Sequence, residues 1–387
     1  MTKRNHSLNS GLIDPATLLR EILVEESASG YPLAREILAR AGKIPFKVVP
    51  DGYNPMAADE KKSRTDFTGN LNRGKNILLL TINRGRFFKP CPATREYRCC
   101  DYQVLNIGMN CPMDCVYCIL QSYLNNPWLS FFVNTDDLLN EMEAAFRAEP
   151  ERLWRIGTGE FTDSMALDSL TGLSGILIDF MKDKENAVLE LKTKSAYIEN
   201  LKGLDHGGRT ILAWSLNSPP IMGREELKTA SLNQRLDAAA ECAALGYRLA
   251  FHFDPIIHHP GWQDGYCSTI QTLYAKVPAE SIVWISMGCL RYIPKLKEIA
   301  TDRFPKSRFF YDEFVMGLDG KSRYFRTQRT EMYKQIYSEL KRFAAESTCI
   351  YLCMESDEIW QEVFGYTPSE HSTLPTMLDR AAGLQNS

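Results

Sequence analysis

Three cysteines in one short run carry the strongest chemical signal in this chain. Cys111, Cys115 and Cys118 are separated by three and then two residues, in Asn110-Cys-Pro-Met-Asp-Cys-Val-Tyr-Cys118. Residues 119–128 contain neither Cys nor His, so no fourth ligand lies nearby in the sequence. Iron–sulfur cubanes are normally held by four Cys thiolates. The set of three therefore predicts a [4Fe–4S] cluster with one iron left open for a small-molecule ligand.

Two other interpretations compete with the cluster. Structural zinc sites usually bring two Cys pairs, or a Cys pair with spaced His, and no second pair is placed for that here. Free cysteines are also often buried as small apolar side chains. The tight spacing of the three cysteines favours the cluster over both.

Composition is typical of an intracellular enzyme. The chain has 387 residues, of which 44% are hydrophobic and 24% charged, enough for a large core and two or three domains. Its 11 cysteines are an odd number and are clustered, and its N-terminus is polar, so we expect a reducing cytoplasm. No apolar run reaches the ~18 residues of a membrane helix. The net charge of −3 gives no global attraction to nucleic acid, so DNA binding would need a local basic surface.

From residue 102 onward, strand-like apolar runs alternate with helical patterns. The six strand-like runs are 104–107, 153–157, 188–192, 210–216, 248–253 and 282–287. Repeated βα units imply parallel strands with right-handed crossovers. The predicted fold class is α/β, with a partial (β/α)6 TIM-type barrel whose polar motifs lie at the C-terminal ends of the strands.

The flanking regions divide the chain into three parts. Residues 1–100 are predicted to form a small α/β extension, with a helix over 15–26, and residues 101–315 the barrel. Residues 316–387 are predicted to be mainly helical, with a strand at 350–353.

The cysteine spacing, with an aromatic residue before the last Cys, resembles the motif of the radical S-adenosylmethionine (SAM) superfamily. Further blocks resemble the spore photoproduct lyase family in order and approximate spacing over residues 25–315. They are Tyr31-Pro-Leu-Ala-Arg-Glu36, Trp214-Ser-Leu-Asn-Ser218, and Gly246-Tyr-Arg-Leu-Ala250 leading to Pro255 and Gly261-Trp262. This resemblance implies that the cluster cleaves SAM to a 5′-deoxyadenosyl radical, which splits a methylene-linked thymine dimer in DNA.

The resemblance also implies a set of cofactor contacts. The implied cluster ligands are Cys111, Cys115 and Cys118, and the implied SAM contacts are Tyr117, Thr162, Lys194, Ser215 and Asp254. Lys194 corresponds to a lysine that pairs with the SAM carboxylate, and Tyr117 to the aromatic near adenine. From the residues alone, Lys194 could equally be a solvated surface lysine and Ser215 a hydroxyl of the barrel core.

Gly157-Thr-Gly-Glu160 resembles the glycine-rich motif that receives the SAM amino group in the superfamily. Gly157 and Gly159 would let the backbone approach the ligand, and Glu160 would accept from its ammonium. A tight strand-to-helix turn with an exposed Glu is the alternative interpretation.

The family's hydrogen-donor cysteine, aligned without gaps, falls on Glu160. A carboxylate O–H is too strong a bond to quench a carbon radical, so the family's reaction cannot be copied directly. The sequence offers Cys289, after the strand 282–287, as a substitute donor, and a buried inert thiol as the alternative. Glu160 and Cys289 are therefore the candidate catalytic residues.

One segment could contact nucleic acid. Lys321-Ser-Arg-Tyr-Phe-Arg-Thr-Gln-Arg329 interleaves cations with aromatics, a pattern that suits phosphate contacts and base stacking. Its candidate residues are Lys321, Arg323, Tyr324, Arg326 and Arg329. The alternative is the solvated start of a helix.

The leading hypothesis is a radical SAM enzyme of the spore photoproduct lyase type, with a [4Fe–4S] cluster and SAM as cofactors and DNA as a partner. Such chemistry needs a one-electron donor such as flavodoxin or ferredoxin. The alternatives are a radical SAM enzyme acting on RNA, a peptide or a metabolite, and a noncatalytic iron–sulfur or nucleic-acid-binding protein. The sequence leaves open the roles of Cys91, Cys99 and Cys100 and the oligomeric state.

Overall fold

The structure is a computed structural model, and it describes residues 11–56, 67–91 and 97–384. The strands in chain order are β1 (Glu21–Glu25), β2 (Phe46–Val49), β3 (Ile77–Thr81), β4 (Phe88–Pro90), β5 (Gln103–Leu105), β6 (Gly108–Met109), β7 (Asp114–Cys115), β8 (Leu129–Phe132), β9 (Trp154–Gly157), β10 (Ala187–Thr193), β11 (Thr210–Ser215), β12 (Glu226–Leu227), β13 (Arg248–Ile256), β14 (Ile282–Cys289), β15 (Arg291–Tyr292), β16 (Val315–Met316), β17 (Ser322–Arg323) and β18 (Cys349–Leu352).

Helices connect and cover these strands. In chain order they are α1 (Pro32–Ala41), α2 (Phe67–Gly74), α3 (Leu120–Tyr123), α4 (Thr135–Ala148), α5 (Asp168–Thr171), α6 (Leu173–Met181), α7 (Pro219–Glu225), α8 (Leu232–Ala244), α9 (Trp262–Lys276), α10 (Pro294–Arg303), α11 (Arg326–Lys341), α12 (Asp357–Phe364), α13 (Pro368–His371) and α14 (Leu374–Ala381). None of the described helices is long and apolar enough to cross a lipid bilayer.

An eight-stranded curled sheet, the half-barrel, holds the centre of the fold. Its order is β18-β14-β13-β11-β10-β9-β5-β4, and the neighbours from β5 to β14 are the six strands predicted from the sequence. These six pair in parallel, as do β14 and β18, while β4 joins the edge antiparallel to β5. Strands covered on both faces can be continuously apolar, which is why the runs were visible in the sequence. The predicted partial (β/α)6 barrel is confirmed.

A second sheet of five strands, in the order β2-β1-β3-β8-β6, packs beside the half-barrel. This sheet includes β6 and β8, which follow residue 100 in the sequence. The half-barrel includes β4, which precedes residue 100, and β18, which follows residue 315. Each sheet therefore contains strands from both sides of the predicted boundary at residue 100, and the half-barrel also contains a strand from beyond the boundary at residue 315.

The helix predicted over 15–26 is wrong. A short 3-10 turn at Pro15–Leu18 is followed by β1, which lies between β2 and β3 and is almost fully buried. The run Glu21-Ile-Leu-Val-Glu25 is short, apolar and β-branched, which suits a central parallel strand better than a helix.

Candidate active site

The loop that carries the three cysteines is fixed from both sides. Cys115 lies in β7, which pairs antiparallel with β12, so that Cys115 stands opposite Glu226. The side-chain amide of Gln121 donates to the carbonyls of Cys115 and Cys118 at 3.1 and 3.3 Å. Cys115 is buried, while Cys111 and Cys118 are partly exposed. The loop thus presents three thiols on a backbone whose carbonyls are already bound.

A buried lysine between α2 and β3 supports the same loop. The Lys75 ammonium donates to the carbonyl oxygens of Met113 at 2.6 Å and Cys111 at 3.0 Å. Beside it, the Asp114 carboxylate accepts from Arg303 at 2.8 Å. Although burial opposes the charge on Asp114, these two cations keep the pKa of its carboxyl below the usual value.

The cysteine donor set fits a cluster better than a single ion. Burial raises the pKa of the Cys111 thiol to about 12 and that of Cys115 well above its ordinary value, so both are neutral until a metal displaces their protons. In the described part of the chain, no three Cys, His, Asp or Glu side chains converge as they would on one metal ion. A cubane spreads its thiolates over several iron atoms, so it does not need such convergence.

A buried network lies directly beneath the cysteine loop. The Tyr117 hydroxyl donates to the Glu226 carboxylate, whose second oxygen accepts from Arg235 at 2.7 Å. The same guanidinium donates to the carbonyls of Ala230 at 3.0 Å and Ser215 at 2.8 Å. Arg235 therefore ties the loop to the end of β11, where Ser215 lies.

The ammonium of Lys194 lies 5.7 Å from the centre of the Tyr117 ring. No described carboxylate lies within ion-pair distance of it, but, although burial opposes the charge on the Glu226 carboxyl, this ammonium helps to keep the pKa of that group below the usual value. The backbone of Lys194 is fixed by Asp163, whose carboxylate accepts from the Lys194 N–H at 2.9 Å and from the Thr193 hydroxyl at 2.6 Å. Sequence reasoning missed Asp163, which follows the glycine motif and positions this strand end. The arrangement leaves a cation next to the cysteine loop for an anionic group.

Packing explains one of the two glycines in the motif that begins at the end of β9. A Cβ on Gly157 would lie 1.4 Å from the Tyr102 hydroxyl, so this glycine makes room for a tyrosine. A Cβ on Gly159 would meet the Lys192 side chain at 3.2 Å. Lys192 Nζ lies 3.6 Å from the Glu160 carboxylate, and both side chains are partly exposed. The Gly157 position is therefore explained by packing, whereas Glu160 faces the mouth of the half-barrel as half of an ion pair.

The three other implied SAM contacts are placed around the same end of the sheet. Thr162 is partly buried in the loop after β9, and Ser215 ends β11. Asp254 lies within β13, and its carboxylate binds Arg291 through two hydrogen bonds of 3.1 and 3.0 Å. A Cβ on Gly288 would come within 2.8 Å of both partners, so the glycine makes space for this pair. The contacts of these residues with SAM stay predictions.

A polar network in the barrel interior was not foreseen from the sequence. The Glu190 carboxylate accepts from the Tyr102 hydroxyl at 2.7 Å and the Trp284 indole at 2.9 Å, and lies 2.8 Å from His252 Nε2. The Ser286 hydroxyl lies 2.7 Å from the other His252 nitrogen. Although burial opposes the charge on Glu190, His252 and its other donors hold the pKa of the carboxyl at about 2. The signal for this network in the sequence was the presence of polar residues at alternate positions of otherwise apolar strands.

Cys289 does not face the barrel mouth. The residues of β14 that touch the interior network are Trp284 and Ser286, and the period of two places Cys289 on the opposite face. There it is buried, and its N–H donates to the Tyr333 hydroxyl of α11 at 2.7 Å. The prediction that Cys289 donates hydrogen to a substrate radical is corrected: it is a thiol of the sheet-to-helix core.

The basic segment is also corrected, because its central cations are paired within the fold. Arg323 is 3% exposed and lies 2.7 Å from the Asp319 carboxylate. Arg329 is largely buried and lies 3.0 Å from Glu355. Tyr324 is fully buried and therefore cannot stack on a base.

The two remaining cations of the segment are paired as well. Lys321 lies 3.6 Å from Asp319, and the exposed Arg326 binds Glu362. The four cations of the segment thus pair with three carboxylates, Asp319, Glu355 and Glu362, and the segment is not an open phosphate-binding surface.

Cys91, Cys99 and Cys100 lie near the mouth. In the described part of the chain they are free thiols and belong to no metal-ligating group. A hydrogen bond with Cys100 lowers the pKa of the Cys99 thiol to about 6. Arg98 anchors the segment that carries them through a 2.5 Å ion pair with Asp357.

The fold and the site together define a radical SAM enzyme of the lyase type: a parallel half-barrel with a three-cysteine loop, a nearby free ammonium and polar groups at the C-terminal strand ends. The family model of spore photoproduct lyase matches residues 19–353, most of the chain. The chain therefore belongs to the spore photoproduct lyase family.

Curated relatives agree with this assignment. The chain is 23% identical to the spore photoproduct lyase of Geobacillus sp. (strain Y412MC61) over 84% of this chain and 92% of the relative. It is also 23% identical to the spore photoproduct lyase of Bacillus subtilis (strain 168), over 76% of this chain and 84% of the relative.

Solved structures show the same fold. A spore photoproduct lyase mutant with bound AdoMet and dinucleoside spore photoproduct matches with a TM-score of 0.73 and 22% identity, covering 86% of this chain and 98% of that chain. Spore photoproduct lyase complexed with dinucleoside spore photoproduct matches with a TM-score of 0.74 and 22% identity, covering 87% and 99%.

Proposed function

We propose that this protein is a radical SAM lyase that holds a [4Fe–4S] cluster and SAM at the barrel mouth and acts on a thymine-dimer lesion of DNA. The observation that carries the proposal is the three-thiol loop beside the unpaired Lys194 ammonium. It lies at the mouth of a half-barrel whose family model spans residues 19–353. The relatives named for this lesion's repair cover most of the chain.

The chain's own residues would share the work of binding. Cys111, Cys115 and Cys118 would hold the cluster, leaving one iron open because no fourth thiol lies in the loop. When bound, the cluster and SAM supply the 5′-deoxyadenosyl radical. Lys194 would pair with the carboxylate of SAM, since its ammonium lies beside the cysteine loop and is in no close ion pair with a described residue. Tyr117, held by Glu226, would present its ring to the adenine.

Glu160 and Lys192 would define the substrate side of the mouth. The carboxylates of Glu160 and Glu190 raise the pKa of Lys192 although burial opposes its charge, so Lys192 is a cation at neutral pH. A bound SAM ammonium could replace Lys192 as the partner of Glu160, which would free the Lys192 cation for a phosphate or carbonyl oxygen of the substrate. The polar interior below, built on Glu190, would hold the floor of the mouth rigid.

The test is an anaerobic assay with the dinucleoside spore photoproduct. Protein reconstituted with iron and sulfide, reduced and supplied with SAM should convert the lesion to the unlinked thymine dinucleoside, whereas Cys115→Ala should not. A one-electron donor of the flavodoxin or ferredoxin kind would replace the chemical reductant in the reducing cytoplasm where we place this enzyme. Formation of 5′-deoxyadenosine without consumption of the lesion would refute the substrate and keep the enzyme class.

A second candidate is a radical SAM enzyme acting on RNA, a peptide or a metabolite. Two points favour it: the resemblance to the family places Glu160 at the position of the donor thiol, and the structure pairs Arg323 and Arg329 of the basic segment with carboxylates of the fold. A screen of these substrate classes for SAM-dependent consumption would separate the two candidates. Binding of a cluster with no SAM cleavage at all would instead support a noncatalytic iron–sulfur protein.

A further inference from the structure

One thiol that neither the sequence nor the family motif singles out lies at the barrel mouth. Cys353 follows β18, and its N–H donates to the carbonyl of Met287 in β14 at 2.8 Å, which continues the parallel ladder to the C-terminal strand ends. Its sulfur lies 3.6 Å from Arg291 Nη2. The same guanidinium holds the Asp254 carboxylate through two hydrogen bonds. Cys353 therefore shares the Arg291–Asp254 end of the mouth.

Charged groups on the opposite side of the mouth also act electrostatically on this thiol. Besides Arg291 and Asp254, the charged groups that influence the Cys353 sulfur are Glu160 and Lys192, which lie 3.6 Å apart as an ion pair. The resemblance to the family places Glu160 at the position of the hydrogen-donor cysteine. The electrostatic influence of Glu160 on Cys353 places this thiol at the same mouth as that residue.

The state of the thiol matters because only a protonated sulfur can give up a hydrogen atom. Burial raises the pKa of Cys353 to about 12, so its S–H bond is intact at neutral pH. Cys99 has the opposite character, since a hydrogen bond with Cys100 lowers its pKa to about 6. Cys289 is protonated but lies on the helix-facing side of β14. Cys353 is partly exposed, so a substrate in the mouth can reach it.

We propose that Cys353 is the hydrogen-atom donor of this enzyme, taking over the role of the thiol that Glu160 has replaced. This inference rests on the proposed function. In the donating step the S–H bond of Cys353 breaks and a C–H bond forms at the product radical, which leaves a thiyl radical on the sulfur. One electron from the one-electron donor that serves the cluster and one proton from solvent restore the thiol.

The first test follows solvent deuterium in the anaerobic assay with the dinucleoside spore photoproduct. A thiol exchanges its hydrogen with solvent, so in D2O the wild-type product should carry deuterium. In Cys353→Ser the unlinked product should fall by roughly 100-fold or more, as expected for loss of a positioned transfer group. Formation of 5′-deoxyadenosine and consumption of the lesion should continue. The matched control Cys267→Ser, a partly exposed thiol on α9, should behave as wild type.

The design includes a variant that should rescue Cys353→Ser, and it allows the donor proposal to fail separately from the proposed substrate. Adding Glu160→Cys to Cys353→Ser should restore part of the deuterated product, because it returns a thiol to the family's position although it removes the carboxylate proposed to receive the SAM ammonium. Unchanged yield and deuterium content in Cys353→Ser would overturn the donor proposal alone. Wild-type protein that cleaves SAM but leaves the dinucleoside untouched would overturn the proposed substrate and the donor role with it.

A second readout does not depend on turnover. In unreduced protein, SAM and the dinucleoside at roughly ten times its Kd should slow alkylation of Cys353 by N-ethylmaleimide about tenfold, measured by peptide mass spectrometry. The alkylation rate of Cys267 should not change. Equal rates at Cys353 with and without the two ligands would overturn its placement at the substrate.

Discussion

The ion pair between Arg235 and Glu226 should be the most costly interaction to break beneath the cysteine loop. Both side chains are at most 1% exposed, and Arg235 Nη2 lies 2.7 Å from Glu226 Oε2. Removing one member of a buried pair leaves an uncompensated charge and typically costs about 3–5 kcal/mol. Arg235→Met should therefore lower the free energy of unfolding by about that amount, since it also removes a buried donor from the Ala230 and Ser215 carbonyls.

Urea denaturation of the purified protein measures this change. The matched control is Arg147→Met, which breaks an ion pair with Glu143 in which the arginine is 78% exposed, and which should cost roughly 0.5 kcal/mol or less. The double variant Arg235→Met/Glu226→Leu should recover much of the loss, because no lone charge remains buried. A cost for Arg235→Met as small as that of the control would refute the reasoning, as would strict additivity in the double variant.

Three further outcomes follow from other described contacts. Because the pKa of Glu190 is held at about 2, the stability that its charge contributes is full above pH ~4.5 and is lost as the pH falls toward 2. Glu190→Gln should therefore reduce the slope of the unfolding free energy against pH in acid by up to about one proton. An unchanged slope would contradict this. Lys75→Met should lower the iron retained after reconstitution, measured against protein concentration, because two carbonyls of the cysteine loop lose their buried donor; full retention would count against the role given to Lys75. Arg323→Ala should lower the melting temperature, whereas substitution of the exposed Arg326 by Ala should change it little. If Arg323→Ala lost DNA affinity without losing stability, the basic segment would be a binding surface after all.

The half-barrel strands could be predicted because each is an apolar run of at least partly buried residues bounded by polar turns. The cysteine loop could be predicted because ligand spacing is local in the sequence. The helix predicted over 15–26 was wrong because an apolar run as short as Ile22-Leu23-Val24 is compatible with either element, and only its place between β2 and β3 makes it a strand.

Side-chain direction and long-range pairing explain the misplaced site residues. Cys289 was assigned to the mouth from its place at a strand end, but a shift of one residue turns a side chain to the opposite face of a strand. The cations around Arg323 looked available because one of their partners, Glu355, lies on the far side of α11 in the sequence. Cys353 escaped notice for a related reason: β18 lies outside the predicted barrel, and only the sheet order brings it next to β14.

The central claim is that the three-cysteine loop supports radical cleavage of SAM, and one anaerobic measurement tests it most directly. Reconstituted and reduced wild-type protein should form 5′-deoxyadenosine from SAM. Cys115→Ala should form none, while Cys242→Ala, which removes a buried thiol of α8 away from the loop, should remain active. Equal formation by wild type and Cys115→Ala, or none by a wild-type protein that has taken up its iron and sulfide, would contradict the account.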